Sequence, residues 1–141
     1  MIYTSYFAKH KNRSDEDTAY ISIAVGNPKY PVAYPIIDLK CLKPYGIFGT
    51  YEGEEYKAKY YERLDRYGVD YIFNEILRAA RGKSTILLMC HEKDPNECHR
   101  KLFAEWWLMR TGEIIEEWGV EHPAEQPKER LTQINFFDIL E

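Results

Sequence analysis

A short segment in the second half of the chain concentrates residue types that do chemistry. Residues 89–100 run Met-Cys-His-Glu-Lys-Asp-Pro-Asn-Glu-Cys-His-Arg and bring together two thiols, two imidazoles and a guanidinium. An apolar run at 86–89 precedes the segment and a helical pattern follows it, so we predict a strand-to-helix turn. Ligands bind at such turns in open α/β folds, and we therefore expect the functional site here.

The start of the following helix gives this turn its electrostatic character. Asp94, Pro95 and Glu97 have the layout of a capped helix start, which predicts a helix over 94–110. Cys98 and the two residues after it then fall in the first turns, close to unpaired amides and the positive end of the helix dipole. That environment lowers the pKa of a thiol and favours an anion.

One interpretation of the segment is an anion-binding pocket that carries proton-transfer groups. Arg100 has the planar fork that grips phosphate or carboxylate, and helix amides would assist it. Glu92 or His99 would transfer a proton. Cys90 lies where the strand ends and Cys98 lies opposite, so both are expected to line the pocket.

Two other interpretations remain open. Cys90, Cys98 and His99, with His91 or Cys41 as an optional further ligand, are residue types that bind zinc, although the separation of Cys90 and Cys98 is wider than the usual two to four residues of a zinc knuckle. Alternatively the segment is structural, with Cys98 packing inward beside Leu102 and with His99 bonded to the backbone.

Strands and helices alternate around the segment in the order expected for an α/β domain. Helix breakers at Gly68, Gly82 and Gly112 separate the periodic stretches, and the proline- and glycine-rich region 26–53 predicts short, interrupted structure. We predict a single compact domain over 1–120, with a mostly parallel sheet flanked by helices. The predicted strands are 2–7, 19–25, 85–89 and 113–118, and the predicted helices are 52–67, 69–81 and 94–110.

Composition narrows the function classes. The chain has 141 residues, a formal charge of -4 and three cysteines, so we expect neither membrane insertion nor strong non-specific binding to nucleic acid. Its first residues lack the layout of a signal peptide, which predicts a cytoplasmic protein. In that reducing compartment a structural disulfide is not expected.

Residues 121–141 are expected to form a proline-containing linker and an apolar tail. The tail resembles the peptide with which bacterial proteins bind the sliding clamp, an extended motif captured in a groove. If so, the clamp is a partner; otherwise the tail docks on the domain's own core. The residues that match the peptide are Gln133, Ile134, Phe136 and Phe137.

Residues 87–100 resemble the signature of domain-of-unknown-function family 488, found in bacteria and their phages. The signature is a buried strand, Cys, any residue, Glu, a short spacer and then Cys-His-Arg at the start of a helix. The resemblance implies an α/β fold, whereas the activity of the family is not established. The signature positions in this chain are Cys90, Glu92, Cys98, His99 and Arg100.

Residues 3–9, 21–24 and 42–44 are similar to one branch of that family. In its better-populated branch the second strand ends in an acidic-aliphatic-Arg triplet, whereas this chain has Ser22-Ile23-Ala24. The substitution removes a possible catalytic acid.

The function predicted from the sequence is binding of a nucleotide, nucleoside or other phosphorylated ligand. Arg100 would hold the anion, Glu92 would be the acid or base, and His99 would orient a neighbour or relay a proton. Cys90 and Cys98 would shape the pocket or supply a thiolate. As an enzyme, the protein would be a transferase or hydrolase acting at a glycosidic or phosphoryl centre without a cofactor. The alternatives are a non-catalytic module recruited to the sliding clamp and a zinc protein.

Overall fold

The computed structural model describes residues 1–94 and 98–119. Within these residues the chain forms a parallel sheet of five strands. The strands are β1 (Ile2–Tyr6), β2 (Thr18–Ser22), β3 (Ile37–Asp38), β4 (Thr85–Cys90) and β5 (Glu116–Glu117). Their order across the sheet is β3-β2-β4-β1-β5, so β4 lies in the centre.

The helices are α1 (Gly53–Tyr67), α2 (Val69–Ala80) and α3 (His99–Thr111). Short 3-10 turns cover Phe7–His10 and Lys40–Leu42. Gly68 separates α1 from α2 with a φ of 89°, a left-handed conformation that favours glycine over other residues. The prediction of an α/β domain with a mostly parallel sheet is confirmed.

The central strand is apolar because both of its faces are covered. Ile86 and Leu88 belong to the core beneath the three described helices, and Leu87 and Met89 belong to a second cluster on the opposite face. Side chains alternate between the two faces of a strand, so a continuous apolar run predicts burial on both sides.

Apolar side chains of α2 and α3 contribute to this core. Ile72 and Ile76 of α2 are buried, whereas Leu77 of the same helix is 46% exposed. Trp106 and Trp107 of α3 are buried, as expected for an aromatic stripe that packs in a core.

The start of α3 differs from the prediction. The helix begins at His99 rather than at Asp94, with Cys98 as an extended N-cap at φ -136° and ψ 146°. Residues 95–97 lie outside the described residues. Arg100 of α3 donates hydrogen bonds to the backbone carbonyls of Glu92 and Lys93.

The connections that follow β2 and β4 lead towards opposite edges of the sheet. The chain leaves β2 towards β3 on one side, and it leaves β4 through α3 towards β5 on the other. Such a switch point opens a crevice at the carboxyl ends of the two strands, where ligands bind in α/β folds. The site is expected between the ends of β2 and β4.

None of the helices formed by the described residues combines the length and apolar character needed to cross a membrane.

Candidate functional site

Two adjoining cavities lie at the carboxyl ends of β2 and β4. The larger has a volume of about 350 Å³ and the smaller about 200 Å³. Both are lined by Phe48, Glu92 and His99, and we refer to the two together as the cleft. The larger volume is near the lower end of the roughly 300–1,000 Å³ typical of small-molecule sites.

Two helices direct their N-terminal ends at the larger cavity. Gly53 and Lys57 from the start of α1, together with His99 and Lys101 from the start of α3, are part of its wall. Unpaired amides and the helix dipole make each N-terminus favourable for negative charge. Their convergence favours an anion, and the wall of this cavity also carries two lysines and the carboxylates of Glu54 and Glu92.

His99 lies on the border of both cavities as a buried, neutral imidazole. Its Nε2 lies 2.5 Å from the carbonyl oxygen of Ile23, and its Nδ1 lies 3.8 Å from Sγ of Cys98. Burial, with a smaller effect of the Arg100 charge, lowers the pKa of His99 to about 4. The carbonyl requires Nε2 to donate, so Nδ1 of the neutral ring has an available lone pair.

Glu92 and Tyr56 both lie on the wall of the larger cavity. Burial, and then the nearby charge of Glu92, raises the pKa of Tyr56 to about 12, so the phenol remains protonated at neutral pH. Glu92 itself is half-buried. A carboxylate beside a protonated hydroxyl can accept a proton and donate a hydrogen bond to the same bound molecule.

Arg100 does not face the cleft, and the prediction that it anchors an anion is corrected. The side chain has no exposed surface, and its Nε and Nη2 donate to the two carboxylate oxygens of Glu117, each at 2.9 Å. The remaining donors bond to Sγ of Cys90 and to the carbonyls of Glu92 and Lys93. All five N–H groups of a guanidinium are thereby used, so none remains for a ligand.

The prediction that no disulfide forms is also wrong. Cys90 and Cys98 are joined by a disulfide, and their Cα atoms lie 7.2 Å apart. In this form neither cysteine is a thiolate, so the proposed nucleophilic role requires prior reduction. Both sulfurs are buried in the cluster that also contains Phe7 and Met89.

The structure brings together Glu92, His99 and the two cysteines, as the sequence predicted. It adds residues that sequence reasoning missed, because their positions depend on how α1 packs beside α3. For Phe48 the sequence offers a signal, because an aromatic residue lies in a loop between two glycines. In the structure its side chain is 61% exposed. The added residues are Phe48, Tyr56, Lys57 and Lys101.

The segment proposed to bind the sliding clamp, Gln133, Ile134, Phe136 and Phe137, lies outside the described residues, as does the predicted linker. That interpretation stays a prediction.

Residues 48–107 match the family described as Domain of unknown function DUF488. The resemblance to this family is confirmed over these residues. The matched range includes Phe48, α1, α2, β4 and most of α3, and therefore most of the cleft wall. Comparisons with curated proteins and with solved structures found no match.

The network around Arg100 predicts a large structural effect of its removal. Arg100→Ala leaves the mostly buried Glu117 carboxylate without its cation and with only the hydrogen bond from Thr4 Oγ1, and it should lower the free energy of unfolding by about 3–5 kcal/mol. Arg66→Ala, which breaks an exposed pair with Glu62, is the control and should cost less than about 1 kcal/mol. Urea unfolding measures both. Equal small losses in the two variants would show that the Arg100 network does not stabilise the fold.

The neutral state of His99 predicts loss of stability in acid. Its pKa of about 4 in the folded protein lies below the ordinary 6.5, so between these values the unfolded chain binds more protons. The free energy of unfolding should fall as pH decreases from 6.5 towards 4, by at most about 1.4 kcal/mol per pH unit for this group.

Urea unfolding at several pH values, with a chelator present, measures that slope. His99→Gln should reduce it, and His91→Gln, which alters an exposed histidine, should not. Part of the slope will persist in both variants because burial also lowers the pKa of His10 to about 4. An unchanged slope in His99→Gln would contradict the assignment of a neutral buried imidazole.

Proposed function

We propose that the chain binds a small phosphorylated ligand of the nucleotide class in the cleft. The observation that carries this proposal is the convergence of the α1 and α3 N-termini on one cavity at the switch point of a parallel sheet. Backbone amides at the two helix starts would receive the phosphate. They replace Arg100 in the role that the sequence assigned to it.

Lys57 and Lys101 supply the positive charge beside these amides. Both contribute to the wall of the larger cavity, as do the carboxylates of Glu54 and Glu92. An ammonium group within reach of a phosphate adds a charge-assisted hydrogen bond, whereas Glu54, in the first turn of α1, opposes the anion. The two kinds of residue are expected to change affinity in opposite directions.

Phe48 and Tyr56 favour a ligand with a planar ring. Phe48 lines both cavities although more than half of its surface is exposed, and Tyr56 lies on the wall of the larger one. Aromatic side chains contact a nucleobase face and bury it, which contributes about 1–3 kcal/mol per base. A phosphate at the helix starts and a base against these rings match a nucleoside monophosphate.

Glu92 is the residue proposed to process that ligand. Its carboxylate lies near the protonated Tyr56, and His99 nearby is neutral. Hydrolysis or transfer at a glycosidic or phosphoryl centre needs a proton carrier and an anion anchor, both of which the cleft would provide. Glu92 would accept the proton of the attacking water and return it to the leaving group.

Binding is tested by isothermal titration calorimetry with a nucleoside 5′-monophosphate and with inorganic phosphate. Lys57→Ala should weaken binding about tenfold or more, because it removes a charged hydrogen bond. Glu54→Gln should strengthen it, because it removes a repelling charge.

Lys59→Ala is a matched control for this measurement. Both lysines are half-buried on α1 beside a tyrosine ring, at 5.6 Å from Tyr61 for Lys57 and 5.3 Å from Tyr51 for Lys59, but only Lys57 lines the larger cavity. The control should keep the affinity of the unchanged protein. Absence of binding, or equal losses in the two lysine variants, would exclude this site.

Turnover is tested by chromatography of the free base and phosphate released from the same monophosphate. Glu92→Gln should lower kcat by about 10²–10⁴ while keeping or tightening binding, because it removes proton transfer and one negative charge. Glu54→Gln removes a carboxylate from the same cavity and should retain turnover. Equal turnover in the two glutamine variants would show that Glu92 is not the proton carrier.

A further inference from the structure

We infer that, once the disulfide is reduced, Cys90, Cys98 and His99 bind a zinc-class divalent ion beside the cleft. The possible ligand atoms of these three residues all lie within 4.8 Å of one another, and all three residues are buried. Two thiolates and an imidazole are the ligands that this class of ion prefers in proteins, and such a site leaves one position for water or substrate.

The backbone spacing suits an ion between the sulfurs. Cα atoms of disulfides usually lie about 4.4–6.8 Å apart, whereas those of Cys90 and Cys98 are separated by 7.2 Å. In a tetrahedral site with metal–sulfur bonds of about 2.3 Å, the two sulfurs lie about 3.7 Å apart. The wider backbone separation therefore accommodates two sulfurs that have moved apart to bind one ion.

Groups next to the ligands favour the state that binds metal. The Ile23 carbonyl accepts from Nε2 of His99 and leaves Nδ1, the nitrogen nearer Cys98, as the ligand atom. Nη1 of Arg100 lies 3.2 Å from Sγ of Cys90 and would stabilise a thiolate there. Such partners of metal ligands fix their orientation and raise affinity.

Reduction of the disulfide and binding of the ion require no further group from the protein. A thiol reductant supplies two electrons and two protons to the disulfide and produces two thiols. Binding of the divalent ion then releases two protons to solvent, and the two thiolates neutralise its charge while His99 remains neutral. Oxidation and metal binding use the same two sulfurs, so each state excludes the other.

The remaining coordination position is expected to face the cleft. Cys98 and His99 line the larger cavity, Cys90 and His99 line the smaller, and Glu92 lines both. A water on the ion would thus lie in the region where the nucleotide ligand is proposed, although metal binding does not depend on that ligand.

The test uses the full chain, reduced with a phosphine and desalted without oxygen. Zinc is titrated in competition with a chromophoric chelator, and cobalt is added separately to detect the absorption band of metal–thiolate bonds. We expect about one ion per chain and a cobalt–thiolate band. The oxidised protein should bind none.

Cys98→Ser removes one ligand and should weaken zinc binding about 100-fold or more and abolish the thiolate band. Serine is a favourable N-cap residue, so the start of α3 should be retained, and circular dichroism checks it. Cys41→Ser removes the third cysteine, which is buried outside the cluster, and should bind like the unchanged protein. Failure of the fully reduced protein to bind zinc, or equal binding by the two serine variants, would overturn the inference.

Discussion

The guanidinium of Arg100 joins three parts of the fold at a point where no solvent reaches it. It contacts the sulfur at the end of β4, the two carbonyls of the following turn at 92–93, and the carboxylate of Glu117 on the edge strand. A buried ion pair is stable only when its hydrogen bonds are satisfied, and here they are. The path of the turn after β4 depends on this contact, and so does the point at which Glu92 enters the cleft.

Adjacent residues of α3 therefore serve different purposes. His99 points to the carbonyl of Ile23 and borders the cleft, whereas Arg100 points to the opposite edge of the sheet. Successive side chains on a helix diverge by about 100°, so neighbours in sequence readily serve separate regions. The Cys-His-Arg run is partly a structural network and partly the wall of a candidate site.

The strand-to-helix turn that carries the candidate site was predictable from the sequence, but the orientation of Arg100 was not. The apolar run of β4 and the motif after it indicate a strand-to-helix turn in a parallel sheet, and the structure has one. Whether Arg100 faces a ligand depends on Glu117, a pairing between residues distant in sequence that no local pattern encodes. Lys57 was missed for a similar reason, because only the packing of α1 beside α3 brings it to the cavity.

The odd number of cysteines has a consequence for how the protein behaves in air. With Cys90 and Cys98 joined, the remaining thiol is Cys41, which is 5% exposed and whose pKa is raised to about 11 by burial and by the charge of Glu75. A protonated, inaccessible thiol reacts slowly with other molecules. Oxidised samples should therefore not form covalent dimers through sulfur, and any change caused by oxidation stays within a single chain.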